Sequence, residues 1–186
     1  MADSPRIPSL TDISLLPRWS KVLFLSRCAA RLIPLIRDQW RTLSVGDLQQ
    51  IAMAGANADA SARLGREVLV GTDPLPRLLE LIENAEQQGN MAGYGLGVCA
   101  IAAGLPQVES AENATSLVGQ ALEQMIQAYA ASRLNEGAVV GSVWFDFAAL
   151  REASQASGWT DATPIGESDL LGDFWPNGTP TGWPNG

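Results

Sequence analysis

The stretch Ser110-Ala111-Glu112-Asn113-Ala114-Thr115-Ser116-Leu117-Val118-Gly119-Gln120-Ala121-Leu122-Glu123-Gln124-Met125-Ile126-Gln127-Ala128-Tyr129-Ala130-Ala131-Ser132-Arg133-Leu134 decides the fold class. Ala114, Leu117, Ala121, Leu122, Met125, Ala128, Tyr129 and Ser132 recur at three- and four-residue steps. That spacing puts them on one face of an α-helix, and Asn135 and Gly137 end it. The helix therefore presents one side to a core and needs others like it to cover that side.

Those partners lie N-terminal to it. Leu25, Cys28, Ala29, Leu32, Ile36 and Trp40 mark a helix over residues 18–40, with Pro17 suited to its first turn. Pro34 lies inside that span and is expected to kink the helix or split it at Ile33. Ser44 reads as the N-cap of a second helix, 45–66, whose alanines and small polar groups permit close packing. Asp73-Pro74 opens a third, with Leu75, Leu78, Leu79, Ile82 and Ala85 as its apolar stripe up to Gly89. Glu80, Glu83 and Glu86 step along its other side, and a solvated face explains them more simply than a divalent-metal site. Residues 91–105 are rich in Gly and Ala. There Gly95-Leu96-Gly97-Val98-Cys99-Ala100 has the letters of the dinucleotide pattern G-x-G-x-x-A but follows a helix end and no strand, so a small-residue helix or bend is expected instead.

On the C-terminal side, Ala138-Val139-Val140-Gly141-Ser142-Val143-Trp144-Phe145 is the one run that reads as β. Asp146 is then expected to cap a short helix with Phe147, Leu150 and Ala153 inward and Gly158 just past its end. From Trp159 onward the chain is rich in Pro, Gly and Trp, and Trp175-Pro176-Asn177-Gly178 recurs as Trp183-Pro184-Asn185-Gly186. Proline removes backbone donors, so this part can be neither a helix interior nor a central strand. Its tryptophans are costly to leave in water, so Trp159, Trp175 and Trp183 are read as groups that dock onto the chain's own domain or a partner, with Trp159 and Trp175 the more buried. The helices do not repeat at a fixed period, which argues against a solenoid. The reading is an all-α protein: an arm over residues 1–16, an irregular bundle of five to six helices over 17–158, and an extended Trp/Pro-rich segment, 159–186, wrapped on it.

Composition narrows the chemistry. Hydrophobic residues make up 46%, enough for a real core. The chain has no histidine, one lysine (Lys21) and two cysteines. This excludes Ser-His-Asp and Cys-His nucleophile systems and leaves few metal ligands, so no catalytic set, cofactor or metal is expected. Cys28 and Cys99 read as small buried hydrophobes. Asp146, between Phe145 and Phe147, is the carboxylate whose surroundings could most perturb it. No apolar run reaches the roughly 20 residues of a membrane span, and the first residues lack the features of a signal peptide, so a cytoplasmic protein is expected.

The net charge is −8, unevenly spread. Residues 1–66 hold nine basic and five acidic groups, and the rest hold three basic and fifteen acidic. The two parts can attract each other within the fold, or the acidic part can face a basic partner. Nucleic acid is disfavoured as a partner, because phosphate contacts need a basic face. Arg27 and Arg31 share one helix face, as do Arg37 and Arg41, and these four are the candidate anion-binding residues, although a solvated face or pairing with carboxylates of the acidic part explains them more simply.

Two resemblances bear on function. Gly158-Trp159-Thr160-Asp161-Ala162-Thr163-Pro164-Ile165, Leu171-Gly172-Asp173-Phe174-Trp175-Pro176 and Pro180-Thr181-Gly182-Trp183-Pro184 together resemble the ending of a set of uncharacterised bacterial proteins. Their pattern is GW-D-TPV, then LWP, then P-GWP, and Phe174 stands where it often has Leu. Separately, Ser26-Arg27-Cys28-Ala29-Ala30-Arg31-Leu32-Ile33-Pro34-Leu35 is similar to the opening helix of all-helical immunity proteins of bacterial toxin systems, which carry an RCA-R-LPL stretch. That similarity implies binding and blocking of a toxin and carries over no binding residue. The resulting expectation is a non-enzymatic interaction protein that meets another, basic protein through an acidic surface and binds neither nucleic acid nor membrane. The alternatives are a helical bundle that binds a small ligand or anion, and a His-free enzyme.

Overall fold

The structure is a computed structural model and describes residues 6–132, 136–167 and 169–184. Among these, seven α-helices form, one more than the expected five to six: α1 (Leu10–Ser14), α2 (Arg18–Gln39), α3 (Val45–Leu64), α4 (Leu75–Gln88), α5 (Ala92–Gly104), α6 (Ala111–Ala131) and α7 (Glu136–Ser157). A short 3-10 turn, Leu105–Gln107, joins α5 to α6. The described residues contain no strand.

Local signals account for most of the boundaries. The Ser44 hydroxyl accepts from the Asp47 backbone N–H, and the Asp47 carboxylate accepts in return from the Ser44 N–H and hydroxyl, closing a capping box at the start of α3. Ser9 and Asp12 build the same device on α1. Asp73 accepts from the Leu75 N–H at the start of α4, and Ser110 accepts from the Asn113 N–H at the start of α6. Gly65 and Gly89 end α3 and α4 in the left-handed conformation, which costs glycine no Cβ clash. The hollow at Gly65 is tight, because a Cβ there would come within 2.8 Å of Pro164.

The core is organised around α2 and α5. α2 packs on α3 and α5, and α5 also packs on α4 and α6. Ala92, Ala102 and every residue from Gly95 to Ala100 are buried, so α5 has neighbours on most sides. Its glycines and alanines follow from that position. A Cβ on Gly95 would approach Ile36 of α2 to 2.7 Å, and one on Gly97 would overlap the Gln124 side chain of α6. The G-x-G-x-x-A letters are thus a helix-packing surface.

Three local expectations are corrected. Residues 138–145 are helical and belong to α7, with Val139, Val143, Phe147 and Leu150 facing the core at helical spacing. Asp146 consequently lies in the middle of α7 and caps nothing. α2 runs through Pro34 as one helix, so of the two expected outcomes the split at Ile33 does not occur.

Residues 159–167 and 169–184 contain no helix. The Ile165 N–H donates to the Ala62 carbonyl at 3.1 Å and the Gly166 N–H to the Arg63 carbonyl at 3.1 Å, at the end of α3. Ile165, Leu171 and Trp183 are buried. No helix among the described residues is long and apolar enough to cross a membrane.

Candidate functional site

Two features outside the ordinary core concentrate the chemistry of the chain: a buried charge cluster and an exposed apolar groove.

The cluster begins with Asp146, whose side chain is fully buried on α7. Arg31 Nη1 stands 2.5 Å from Asp146 Oδ2, and Arg27 Nε 3.4 Å from Oδ1. Arg27 and Arg31 are four residues apart on α2, so one helix face delivers both guanidinium groups to one carboxylate. Their remaining donors turn to the C-terminal segment. Arg31 donates to the Phe174 carbonyl through Nη2 at 2.9 Å and Nε at 3.3 Å. Arg27 Nη2 donates to the Gly172 carbonyl at 2.9 Å and the Asp173 carbonyl at 2.5 Å. Both guanidinium groups lie 5.1 Å from the Phe174 ring centre, and Arg31 lies 5.3 Å from that of Trp175.

Burial dominates the electrostatics here. It raises the Asp146 carboxyl above its ordinary value, opposed by Arg31 and then Arg27. It lowers the Arg27 guanidinium, opposed by Asp146. It pushes the thiol of neighbouring Cys28 up to about 12, and Cys99 to about 12 as well, so neither thiol offers a reactive thiolate. Tyr129, also fully buried, is raised well above its ordinary value by burial and packs its ring 5.6 Å from Trp183.

The four candidate arginines therefore separate. Arg27 and Arg31 meet a carboxylate and backbone carbonyls of the chain itself. Arg37 and Arg41 are exposed at a hollow of about 300 Å³ shared with Pro34, Asp38 and Pro184, where Arg41 pairs with Asp38 at 2.9 Å. The order of burial among the tryptophans reverses the expected one. Trp183 is 7% exposed and sits 5.0 Å from Trp175, whereas Trp159 and Trp175 are half-buried.

The groove lies where α4, α5 and α6 meet and encloses about 460 Å³. Leu79, Ile82, Met91, Tyr94 and Ile101 form its apolar lining, with Gln124 from α6. Gly93, Gly97 and Ala100 lack the bulk to fill it. Leu79, Met91 and Tyr94 are 55%, 44% and 38% exposed, a concentration of large apolar groups in water beyond what scattered surface leucines produce. Leu79, expected on the inward stripe of α4, is thus corrected to the rim. Glu83 and Glu86 follow it at steps of four and three, and Glu80 stands beside it, all exposed. Arg77 answers Glu80 at 2.7 Å and Asp47 at 2.8 Å.

The sequence reading placed the acidic row of α4 but not the groove, which depends on α5 and α6 arriving alongside. Leu81, apolar but off the expected stripe, was the available signal: it is buried with Leu78 and Ala85 and leaves Leu79 at the edge. Among the described residues, no group of three or more Cys, Asp or Glu side chains comes together in a form that would hold a metal ion. The chain has no significant match to any protein-family model, curated protein or solved structure.

Proposed function

We propose that this chain is a non-enzymatic protein-interaction domain whose binding surface is the α4–α5–α6 groove with the acidic row of α4 beside it. The observation that carries the reading is the exposure of Leu79, Met91 and Tyr94 around a hollow that Glu86 also lines, with Glu80 and Glu83 exposed on the same helix. A basic protein that inserts an apolar side chain into the hollow and sets Lys or Arg against the glutamates matches both halves of this surface. The similarity of residues 26–35 to immunity-protein helices points to a bacterial toxin as the partner, met in the cytoplasm. Those residues lie in or beside the core of α2, so recognition falls to a different face.

The same proposal makes residues 159–184 an integral strap wrapped on the bundle, not a free docking peptide. Its support is the hydrogen bonding of Arg27 and Arg31 to the backbone carbonyls of residues 171–174 and the burial of Trp183.

The test starts with a tagged full chain used to recover a partner from extract of the source bacterium. Affinity for the purified partner is then measured at rising salt. We expect about a tenfold loss between low and physiological salt, a comparable loss for Glu80→Lys/Glu83→Lys/Glu86→Lys, and a larger one for Leu79→Ser/Tyr94→Ala. A partner indifferent to salt and to both sets of substitutions would sink the reading.

A further inference from the structure

Trp175-Pro176-Asn177-Gly178 contains an Asn-Gly pair that has no role in the two features described above. Both residues of the pair are exposed. The Gly178 N–H donates to the Trp175 carbonyl at 3.0 Å, which closes a four-residue turn with Pro176 in its second position. Gly178 stands at φ +80°, and a Cβ there would meet no heavy atom beyond its chain neighbours within 4 Å. Among the described residues, no hydrogen bond engages the Asn177 carboxamide. A single exposed turn bond is therefore all that holds the pair, and such bonds open locally far more readily than those of a packed helix.

The other described asparagines lack this combination. Asn57 is buried on α3, and its side chain accepts from the Val70 N–H at 2.9 Å. Asn84 lies inside α4 and precedes Ala85, whose N–H belongs to the helical ladder. The Asn90 side chain accepts from the Ala92 N–H at 3.0 Å, and Met91 follows it. Asn113 stands in the first turn of α6 and precedes Ala114, whose N–H donates to the Ser110 carbonyl at 2.9 Å. In each case the next nitrogen carries a residue with a side chain, and Asn177 alone among them is followed by glycine. The second Asn-Gly pair, Asn185-Gly186, lies outside the described residues.

We propose that Asn177 is a self-modifying site, whose side chain condenses with the Gly178 nitrogen and whose conversion to isoaspartate unfastens the C-terminal segment. The Gly178 nitrogen, its proton passed to solvent hydroxide, bonds to Asn177 Cγ. The Cγ–Nδ2 bond breaks, and that nitrogen leaves as ammonia after taking a proton from water. A free carboxamide and a neighbour without Cβ let the two atoms meet, and ring closure within one chain needs no second molecule to be brought in. Water then opens the five-membered imide at either carbonyl, so that the net change is one water consumed and one ammonia released. Opening at the main-chain carbonyl gives isoaspartate, in which the backbone runs through the former side chain and is one methylene longer. That methylene falls between Trp175 and Trp183, whose rings pack 5.0 Å apart, with Trp183 in turn 5.6 Å from Tyr129. The unfastening rests on the reading of residues 159–184 as an integral strap, while the condensation does not.

The test incubates the full-length protein at physiological temperature and mildly alkaline pH while peptide mass spectrometry follows each asparagine. We expect Asn177 to deamidate about tenfold faster than Asn84, Asn90 and Asn113, with isoaspartate the main product. Asn177→Gln should stop the reaction at this position, because glutamine would have to close a six-membered ring. Gly178→Ala should slow it about tenfold by placing a methyl group on the attacking residue. Ion exchange separates the converted chains by their added negative charge, and these should melt several degrees below the unconverted chain. Asn177→Asp adds the same charge without the methylene and should melt with the wild type. The proposal is overturned by an Asn177 that converts no faster than the helical asparagines. It is equally overturned by an Asn177→Asp chain that melts as low as the isoaspartate one, or by isoaspartate chains that melt with the wild type while a chain ended after Gly158 melts lower. A chain ended after Gly158 that melts unchanged would instead remove the strap reading, and the unfastening with it.

Discussion

Asp146 is held by charge and not by a cap: two arginines from α2 converge on a carboxylate that water does not reach. Removing one member of such a set leaves the others buried and uncompensated. Asp146→Asn should therefore cost about 3–5 kcal/mol of stability in a denaturant titration, whereas replacing all three charges (Arg27→Met, Arg31→Met and Asp146→Leu) should cost less than the sum of the three single replacements. Losses that simply add would mean that the three groups do not act as a unit. Arg31 is harder to replace than Arg27, because its side chain is fully buried and it also serves the Phe174 carbonyl through two of its nitrogens. Arg31→Lys keeps the charge and loses that fork, so it is not a conservative change here. The arginines were legible in the sequence as a pair on one face. Their partner was not, because nothing in a sequence marks which distant carboxylate a helix face will meet.

At the scale of elements, the helix starts were the most legible features, since a capping residue and the helix it begins are neighbours in sequence. Ser44 and Asp47 illustrate this, and they carry a pH signature. Arg77 and then Ser44 hold the Asp47 carboxyl below its ordinary value of 3.8. A group depressed in the folded state contributes stability above its unfolded value and loses it as the pH falls toward the folded one. Stability should accordingly fall in acid from about pH 4 downward, and Asp47→Asn should flatten part of that slope. Ser44→Ala should cost about 1 kcal/mol near neutral pH, read by the same denaturant titration. α7 was illegible for a physical reason. Val139, Val140, Val143, Trp144 and Phe145 have β-branched or aromatic side chains that suit a strand, and a short apolar run does not distinguish strand from buried helix. Tertiary packing overrides that local preference: Val139, Val143, Phe147, Leu150 and Ser154 are buried at steps of four and three, a stripe visible in the sequence once the run is read beyond residue 145. For α4 the periodicity was read correctly and the face was not, so Leu79 was assigned to the core when it borders the groove.

For the whole molecule, the main question is what the non-helical C-terminal residues contribute. Ending the chain after Gly158 removes the buried Ile165, Leu171 and Trp183 and the carbonyls that Arg27 and Arg31 occupy. Full burial of such side chains contributes roughly 1.5–3 kcal/mol each, against the entropy of ordering the segment. A net loss of about 3 kcal/mol lowers the melting temperature by roughly 10 °C in a chain of this size. An unchanged melting temperature would return the segment to the role of a free docking peptide. The bundle and its composition-driven packing were legible because apolar periodicity is local, while the groove and the charge cluster arise only when separate helices meet. The chain order of that cluster has a consequence for biosynthesis. Arg31 is made first, and its Phe174 carbonyl partner lies 143 residues later, beyond Asp146. Because a chain grows from its N-terminus, α2 is made well before either of the partners of its two arginines. During synthesis, therefore, both arginines can meet Asp146 before the carbonyls of residues 171–174 exist to take their remaining donors.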